Sequence, residues 1–235
     1  MVEETKVKLS SLNEETFRLK FRNLIYLPLT KTQRRKKLRE DNFTIISNNC
    51  WGGTVYESYG IKKMSPTVGM FIMPEDYLKF VANLEHYLAQ PLEFIDPEDS
   101  KWKEELQGKS NWKTYLIGKL DDIELQMLHH HDEIVARKKW ESRIKRVNKS
   151  RLIFKFNDQN GATKEQIIRF MQLPLENKLC FVASEEYKTS DDVIFIKQPR
   201  KYRGGGIKAS REPFGKSKYI DLTEYINQVG EKHEE

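Results

Sequence analysis

Residues 43–53 read FTIISNNCWGG and carry the clearest fold signal in the chain. The first five, Phe43 to Ser47, are mostly apolar and partly β-branched, which predicts a short buried strand. The next six are polar, aromatic and glycine-rich, which predicts a loop at the carboxyl end of that strand. In open α/β sheets this is the place where ligands bind. The stretch therefore predicts one strand of a sheet and a candidate ligand loop directly after it.

Strand and helix patterns alternate through most of residues 43–230. We predict strands at 43–47, 114–118, 123–129, 152–156, 178–184 and 192–196, and a short apolar run lies at 69–73. We predict helices from Pro74 to before Pro91, at 132–147, after Thr163 and at 221–229. This alternation predicts an α/β fold with a central mixed or mostly parallel sheet and helices on both faces. Two of the strands, 114–118 and 123–129, could form a hairpin. We expect a basic N-terminal helical extension over residues 1–40 and a single α/β domain over residues 41–235.

Composition excludes several classes of protein. The 235 residues are 38% apolar and include 26 aromatic side chains, unlike a disordered chain. No apolar run approaches the length of a membrane span, and no secretory signal is visible at the N-terminus. Two cysteines, Cys50 and Cys180, provide neither a disulfide framework nor a cysteine-rich zinc site. We expect a folded cytoplasmic protein.

The net charge of +6 is unevenly distributed. Residues 1–42 hold 11 Lys/Arg against 6 Asp/Glu, and residues 197–218 hold 8 against 1, so the rest of the chain is acidic. Basic segments suit an anionic partner. The first could contact the anionic inner face of the cell membrane, or simply be a solvated helix. The second contains three consecutive glycines, Gly204 to Gly206, which predict a mobile loop that could close over an anionic ligand or simply be flexible. The sequence shows no nucleic-acid-binding signature, so we expect no nucleic-acid partner.

The loop after the first strand supplies most of the candidate binding residues. Its backbone N–H groups could hold an anion, and its glycines permit close approach of a ligand. The alternative is a turn whose Trp51 packs in the core. Ser65 and Thr67, around a rigid proline, could bind a polar ligand or serve as turn residues. The candidate substrate-binding residues are Asn48, Asn49, Cys50, Trp51, Gly52, Gly53, Ser65, Thr67 and Arg143.

The run His129-His130-His131 lies at the end of a predicted strand. If residues 123–131 are extended, His129 and His131 point to one side and His130 to the other. Histidine is a common general base, so His129 and His131 are candidate catalytic residues. A metal site is not favoured, because no HExxH motif or matching carboxylates accompany the run. Asp132 could equally be a helix N-cap, with the histidines packed around it.

Asp158 is the third candidate catalytic residue, although the sequence around it is also typical of an ordinary turn. It follows a predicted strand, as do the Asn48–Gly53 loop and the histidine run. If these strands are parallel, the three motifs meet at one edge of the sheet. If 114–118 and 123–129 form a hairpin, the sheet is partly mixed and convergence does not follow. Arg143 and Arg146 could face a phosphate or lie on a solvated helix face.

The residues at 43–53, Tyr59-Gly60, Ser65-Pro66-Thr67 and Tyr77–Phe80 resemble an uncharacterised bacterial family. The resemblance extends over about residues 33–230 and includes the histidine run, Trp140, Asn157-Asp158 and Leu173-Pro174. Members of that family are commonly described as exopolysaccharide or capsular polysaccharide biosynthesis proteins. The resemblance implies an α/β fold and a role in surface-polysaccharide biosynthesis, but it supplies no catalytic residues and no cofactor.

Two functions follow as hypotheses. The first is a transferase acting on a sugar nucleotide or lipid-linked sugar, with His129 or His131 as base and Asp158 orienting the acceptor. The Asp-x-Asp metal motif of many glycosyltransferases is missing, which weighs against it. The second is a non-catalytic carbohydrate-binding or assembly protein, in which Trp51 and Tyr59 would stack on sugar rings.

Overall fold

The computed structural model describes residues 16–17, 19–109, 111–199 and 206–230. The strands are β1 (Thr44–Ser47), β2 (Phe71–Ile72), β3 (Glu93–Ile95), β4 (Leu116–Leu120), β5 (Ile123–Met127), β6 (Leu152–Asn157), β7 (Lys178–Val182) and β8 (Val193–Phe195). The α-helices are α1 (Leu27–Arg35), α2 (Trp51–Tyr59), α3 (Pro74–Ala82), α4 (Leu84–Ala89), α5 (Lys103–Leu106), α6 (Glu133–Ile144), α7 (Lys164–Gln172) and α8 (Leu222–Gln228). A π-helical turn, Arg22–Tyr26, precedes α1. Short 3-10 turns lie at Pro97–Asp99, Lys149–Arg151, Glu185–Tyr187 and Ala209–Arg211.

The strands form two four-stranded sheets. The first is parallel, in the order β1-β6-β7-β8, and the second is antiparallel, in the order β2-β5-β4-β3. The α/β fold is therefore confirmed, and so is the hairpin, because β4 and β5 pair antiparallel. The parallel strands belong to a sheet of their own.

Helices cover both faces of the parallel sheet. Successive side chains of each strand point to opposite faces and so enter two different parts of the core. Ile46 and Phe154 pack with Tyr77 of α3 and Phe170 of α7. On the other face, the core is built from side chains of β1, β6, β7, α2 and α8, which are Ile45, Ile153, Phe181, Trp51, Tyr56 and Ile226. Both faces of the central strands are consequently buried.

Local sequence signals explain several helix boundaries. Asp132 caps α6 by accepting a hydrogen bond from the Val135 N–H. Helix α7 begins with a capping box, in which Thr163 and Gln166 are bonded reciprocally. The predicted helix that begins at Pro74 is divided into α3 and α4, because Asn83 leaves helical backbone geometry.

The N-terminal segment is helical over much of residues 19–35, and α1 packs on α2. Residues 1–15 and residue 18 of the predicted basic extension lie outside the described residues. Most of the glycine-rich basic segment, residues 200–205, lies outside them as well. No helix in the described ranges combines the length and apolar character required to cross a membrane.

Candidate functional site

A cavity of about 780 Å³ opens beside the carboxyl ends of β1 and β6. Asn49 and Cys50, which follow β1, line it together with Gln159, which follows β6. His129 and His130, after β5, form a further part of the wall. Residues far apart in sequence therefore surround one space.

Two structural features bring these segments together. Strands β1 and β6 are parallel neighbours, so their carboxyl ends lie at the same edge of the sheet. Strand β5 belongs to the antiparallel sheet, but β2 lies between it and the end of β1. The Ile72 N–H donates to the Asn48 carbonyl at 3.0 Å, and the His129 N–H donates to the Gly69 carbonyl at 3.1 Å. The histidine run thus meets the loop after β1 through β2, although parallel pairing, the condition under which convergence was expected, does not hold for its strand.

Beside the cavity, a buried polar network holds Asn49 in place. Its Nδ2 donates to Gln159 Oε1 at 3.1 Å and to Glu212 Oε2 at 3.2 Å. Its Oδ1 accepts hydrogen bonds from Lys155 Nζ and from the Trp51 N–H, each at 3.0 Å. The Asn49 side chain is therefore fixed on the cavity wall by partners from three segments of the chain.

An ion pair lies at the centre of this network. Lys155 Nζ is 2.5 Å from Glu212 Oε1, and both side chains are fully buried. Burial lowers the pKa of Lys155 and raises the pKa of Glu212, because the low-dielectric interior disfavours both charges. Asn157 Nδ2 also donates to Glu212 Oε1, at 2.8 Å. The pair ties the segment after residue 206 to the ends of β1 and β6.

Cations predominate among the charged groups that line the cavity. Its described lining contains one carboxylate, Glu57, which pairs with Lys63 at 2.7 Å. The lining cations are Arg22, Lys63, Lys109, Lys139, Arg143 and Lys208. An excess of positive charge around a cleft favours an anionic ligand.

Arg143 and Lys109 are partly buried members of this set. Arg143 Nη1 donates to the Val68 carbonyl at 2.6 Å, and Lys109 Nζ donates to Asn160 Oδ1 at 3.0 Å. Burial lowers the pKa of Arg143 and of Lys109. A buried cation gains from an anion, which restores the electrostatic stabilisation lost with water.

The two histidines on the cavity have different surroundings. His129 is exposed, and partial desolvation lowers its pKa, with a smaller effect from Lys63. His130 is buried, and burial together with Lys139 and Arg143 lowers its pKa to about 4. Its Nδ1 is buried and has no hydrogen-bond partner among the described residues. Both imidazoles are therefore neutral at pH 7, and His129 is accessible to accept a proton.

Residues 123–131 are not extended throughout, so the alternation of the histidines expected for an extended run does not occur. Strand β5 ends at Met127, and the His130 N–H closes a turn on the Met127 carbonyl at 2.8 Å. The two-residue period of an extended strand is lost in a turn. As a result His129 and His130 both line the cavity. His131 lies outside the cavity lining, with its Nδ1 2.8 Å from the Thr114 carbonyl.

Cys50 lines the cavity as a thiol. Burial raises its pKa to about 11, with a smaller opposing effect from Lys155. Its Sγ donates a weak hydrogen bond to the Met70 carbonyl at 3.6 Å. The sulfur is protonated at neutral pH, so it does not have the properties of an activated nucleophile.

The predicted site residues divide into two groups. Those brought together on the cavity are Asn49, Cys50, Gly53, His129 and Arg143. Those placed outside its lining are Asn48, Trp51, Gly52, Ser65, Thr67, His131 and Asp158. The residues of the second group pack or form hydrogen bonds within the protein, and these contacts account for their presence without a ligand.

The Asp158 carboxylate is held by backbone hydrogen bonds. Its Oδ2 accepts from the Ala183 N–H and its Oδ1 from the Ile207 N–H, both at 2.7 Å. Burial raises the pKa of Asp158, and backbone hydrogen bonds, led by that from Ile207, oppose the rise. A Cβ atom at Gly206 would collide with the Asp158 backbone, so that position requires glycine. Asp158 therefore joins β6, the end of β7 and the segment after residue 206.

The prediction that Trp51 and Tyr59 stack on sugar rings is wrong, because both side chains are fully buried. Trp51 packs edge-on against Phe181. Gly52 and Gly53 lie in the first turn of α2 and not in a loop. A Cβ at Gly52 would lie 3.2 Å from Ile45 Cγ2, so this glycine lets α2 approach β1 closely.

Three further predicted residues are buried in polar contacts near β1. The Ser65 and Thr67 hydroxyls are 3.0 Å apart, and the Ser47 N–H donates to Thr67 Oγ1 at 3.3 Å. Asn48 Nδ2 donates to Asn157 Oδ1 at 2.8 Å. These bonds satisfy groups that would otherwise be buried unpaired.

Sequence reasoning missed several residues on the cavity. An extended strand would place His130 on the side opposite to His129, and Gln159 and Asn160 match an ordinary turn. Lys109 and Lys139 lie in polar stretches that give no local indication of a site. Lys109 and Lys139 come close to the other lining residues only when the chain is folded.

Fold and site together define an α/β protein with a cation-lined cavity at the carboxyl edge of its parallel sheet. The chain belongs to the family described as Domain of unknown function (DUF1919), which matches residues 22–229. It is similar to an uncharacterized protein of Haemophilus influenzae, with 30% identity over 192 residues. That match covers 82% of this chain and 86% of the Haemophilus protein. Within the described ranges, no group of three or more His, Cys, Asp or Glu side chains is placed to hold a metal ion.

Proposed function

We propose that this protein binds a phosphate-bearing sugar, either a sugar nucleotide or a lipid-linked sugar, in the cation-lined cavity. The observation that carries the proposal is the excess of Lys and Arg side chains around a space of about 780 Å³. That volume lies in the usual range for small-molecule sites. Arg and Lys are the side chains that most often hold phosphate groups in proteins.

We propose further that the protein is an enzyme of surface-polysaccharide assembly and a transferase. The support for the pathway is the sequence resemblance carried by residues 43–53 and 65–69. The support for transfer chemistry is the neutral, exposed imidazole of His129 on the cavity wall. His129 would take the proton of an acceptor hydroxyl as its oxygen bonds to the sugar's anomeric carbon. The bond from that carbon to the phosphate oxygen would break, leaving the phosphate on the cations.

A non-catalytic carbohydrate-binding role is the second candidate. One observation favours it: Glu57, the carboxylate in the described cavity lining, is paired with Lys63. The carboxylate expected to assist the reaction, Asp158, is bonded to backbone amides instead. The binding would then depend on the cations and on Asn49 and Gln159. Turnover of a bound sugar nucleotide would separate the two roles.

Calorimetric titration with uridine diphosphate sugars and a short polyprenyl phosphate sugar tests the binding. Lys139 and Lys138 provide a matched pair, because both are exposed on α6 and only Lys139 lines the cavity. Loss of a charged hydrogen bond costs about 1.5–3 kcal/mol, so Lys139→Gln should weaken binding roughly tenfold or more. Lys138→Gln should bind as the wild type does. Equal affinity of the two variants, or no binding of either ligand class, would contradict the proposal.

A further inference from the structure

The N-terminal arm, defined as residues 16–17 and 19–39, exposes an apolar stripe. Phe17, Leu24 and Leu29 are 71%, 74% and 73% exposed, and Phe21 and Ile25 are about half exposed. Apart from the adjacent pair Leu24 and Ile25, they occur three to four residues apart along the helical part of the arm. Large apolar side chains grouped on one exposed surface indicate an interaction site.

The other side of the arm is fixed to the α/β domain. Leu27 is buried, and Arg34 Nη1 donates to the Ser58 carbonyl at 2.5 Å. The Arg34 guanidinium also lies over the rings of Tyr59 and Phe214, at 5.9 and 5.5 Å from their centroids. These contacts hold one side of the arm against the domain and leave the apolar stripe directed outward.

The charge of the arm identifies the chemistry of its partner. Residues 19–39 contain eight Lys or Arg and no Asp or Glu. Lys20, Lys31, Lys36 and Lys37 are exposed. Apolar side chains beside exposed cations are typical of helices that lie in the interface of an anionic bilayer. A second copy of the chain would oppose this basic surface with an identical one, and like charges disfavour that contact.

The arm also contributes to the cavity, because Leu19, Arg22 and Asn23 line it.

We propose that the N-terminal arm is a docking surface for anionic lipid bilayers. The apolar stripe inserts among the lipid headgroups and the lysines contact lipid phosphates. Docking places the cavity wall formed by Leu19 and Arg22 beside the bilayer. This docking does not depend on which ligand the cavity binds.

Co-sedimentation with vesicles tests the proposal, using phosphatidylcholine mixed with phosphatidylglycerol against phosphatidylcholine alone. The wild-type protein should bind the anionic vesicles and bind the neutral ones much more weakly. The double variant Leu24→Ser, Leu29→Ser should reduce binding by about tenfold or more, because two exposed apolar anchors are lost. Lys36→Gln with Lys37→Gln should weaken binding and make it less sensitive to salt.

Helix α7 supplies matched controls. It covers the face of the parallel sheet opposite to α2, on which the arm packs. Ile168→Ser and Lys164→Gln change exposed side chains there and should leave vesicle binding unchanged. Circular dichroism melting should confirm that all variants remain folded. Unchanged binding of the leucine variant, or equal binding to neutral vesicles, would overturn the proposal. A wild-type dimer that the leucine substitutions dissociate would assign the stripe to a second copy and overturn it as well.

Discussion

Lys155 of β6 and Glu212 form an ion pair that is completely buried, with 2.5 Å between Nζ and Oε1. The pair also bonds to Asn49, which lines the cavity, and to Asn157 at the end of β6. It therefore links the core of the parallel sheet to the proposed ligand site. Removing one partner leaves the other charge buried without compensation.

We expect Lys155→Met to lower the free energy of unfolding by about 3–5 kcal/mol, because Glu212 would be left buried and unpaired. The double variant Lys155→Met, Glu212→Leu should be less destabilised than the sum of the single variants. Urea titration monitored by tryptophan fluorescence measures both values. Lys149→Met is the control: its pair with Glu85 is exposed and should contribute at most about 1 kcal/mol. Additive effects of the two core substitutions would contradict the coupling.

Substitution of His129 should separate binding from catalysis. We expect His129→Gln to retain sugar-nucleotide affinity and to lose about a hundredfold or more in turnover, because the proposed base is removed. His131→Gln should leave both quantities unchanged, since His131 lies outside the cavity lining. Calorimetry and a product assay measure the two effects. Equal turnover of both variants would exclude His129 as the base.

His130 should make stability depend on pH. Burial lowers its pKa to about 4 in the folded protein, against 6.5 for an unburied histidine. The unfolded chain therefore binds the proton more tightly. Above pH 6.5 His130 is neutral in both states and the folded protein keeps its full free energy of unfolding. This free energy decreases as the pH falls from 6.5 toward 4, because the unfolded chain takes up the proton first. At 1.36 kcal/mol per pKa unit, the loss is roughly 3 kcal/mol.

The comparison of wild type with His130→Gln isolates this effect, because other titrating groups are common to both proteins. Between pH 7 and pH 4.5, the wild type should lose more stability than the variant in urea titrations. Parallel pH profiles would show that His130 does not titrate with a lowered pKa.

Asp158 should contribute to stability and not to proton transfer. Its carboxylate accepts the Ala183 and Ile207 N–H groups, so Asp158→Ala leaves two buried donors unpaired. We expect a loss of about 2–4 kcal/mol and faster amide exchange at Ile207. Asp191→Ala, at a fully exposed position, serves as control. If Asp158→Ala keeps wild-type stability but abolishes turnover, Asp158 is catalytic after all.

Much of the fold could be predicted from local pattern. The strand at Phe43–Ser47, the capping box of Thr163 and the hairpin through β4 and β5 all depend on residues close in sequence. The local pattern gives a wrong prediction where a strand ends earlier than its apolar run, and where both faces of a strand are buried. The histidine alternation failed because β5 ends at Met127.

The candidate site was less predictable than the fold. Lys155 lies in an alternating strand pattern that would normally place a lysine toward water. Both faces of the parallel sheet are covered, so Lys155 is buried and requires Glu212, which is distant in sequence. Residue type alone makes Trp51 and Tyr59 candidates for stacking on a sugar ring, but both side chains are buried and cannot meet a ligand.

The sequence by itself determined most of the strands, the helices with an apolar stripe or a capping residue, the basic N-terminal segment and the family to which the chain belongs. These depend on periodicity, capping residues and composition, which act over a few neighbouring residues. Only the tertiary structure decided that His129, His130, Asn49 and Gln159 share one cavity. It did so through the position of β2 between the end of β1 and β5, which is fixed by backbone pairing and core packing across the whole chain.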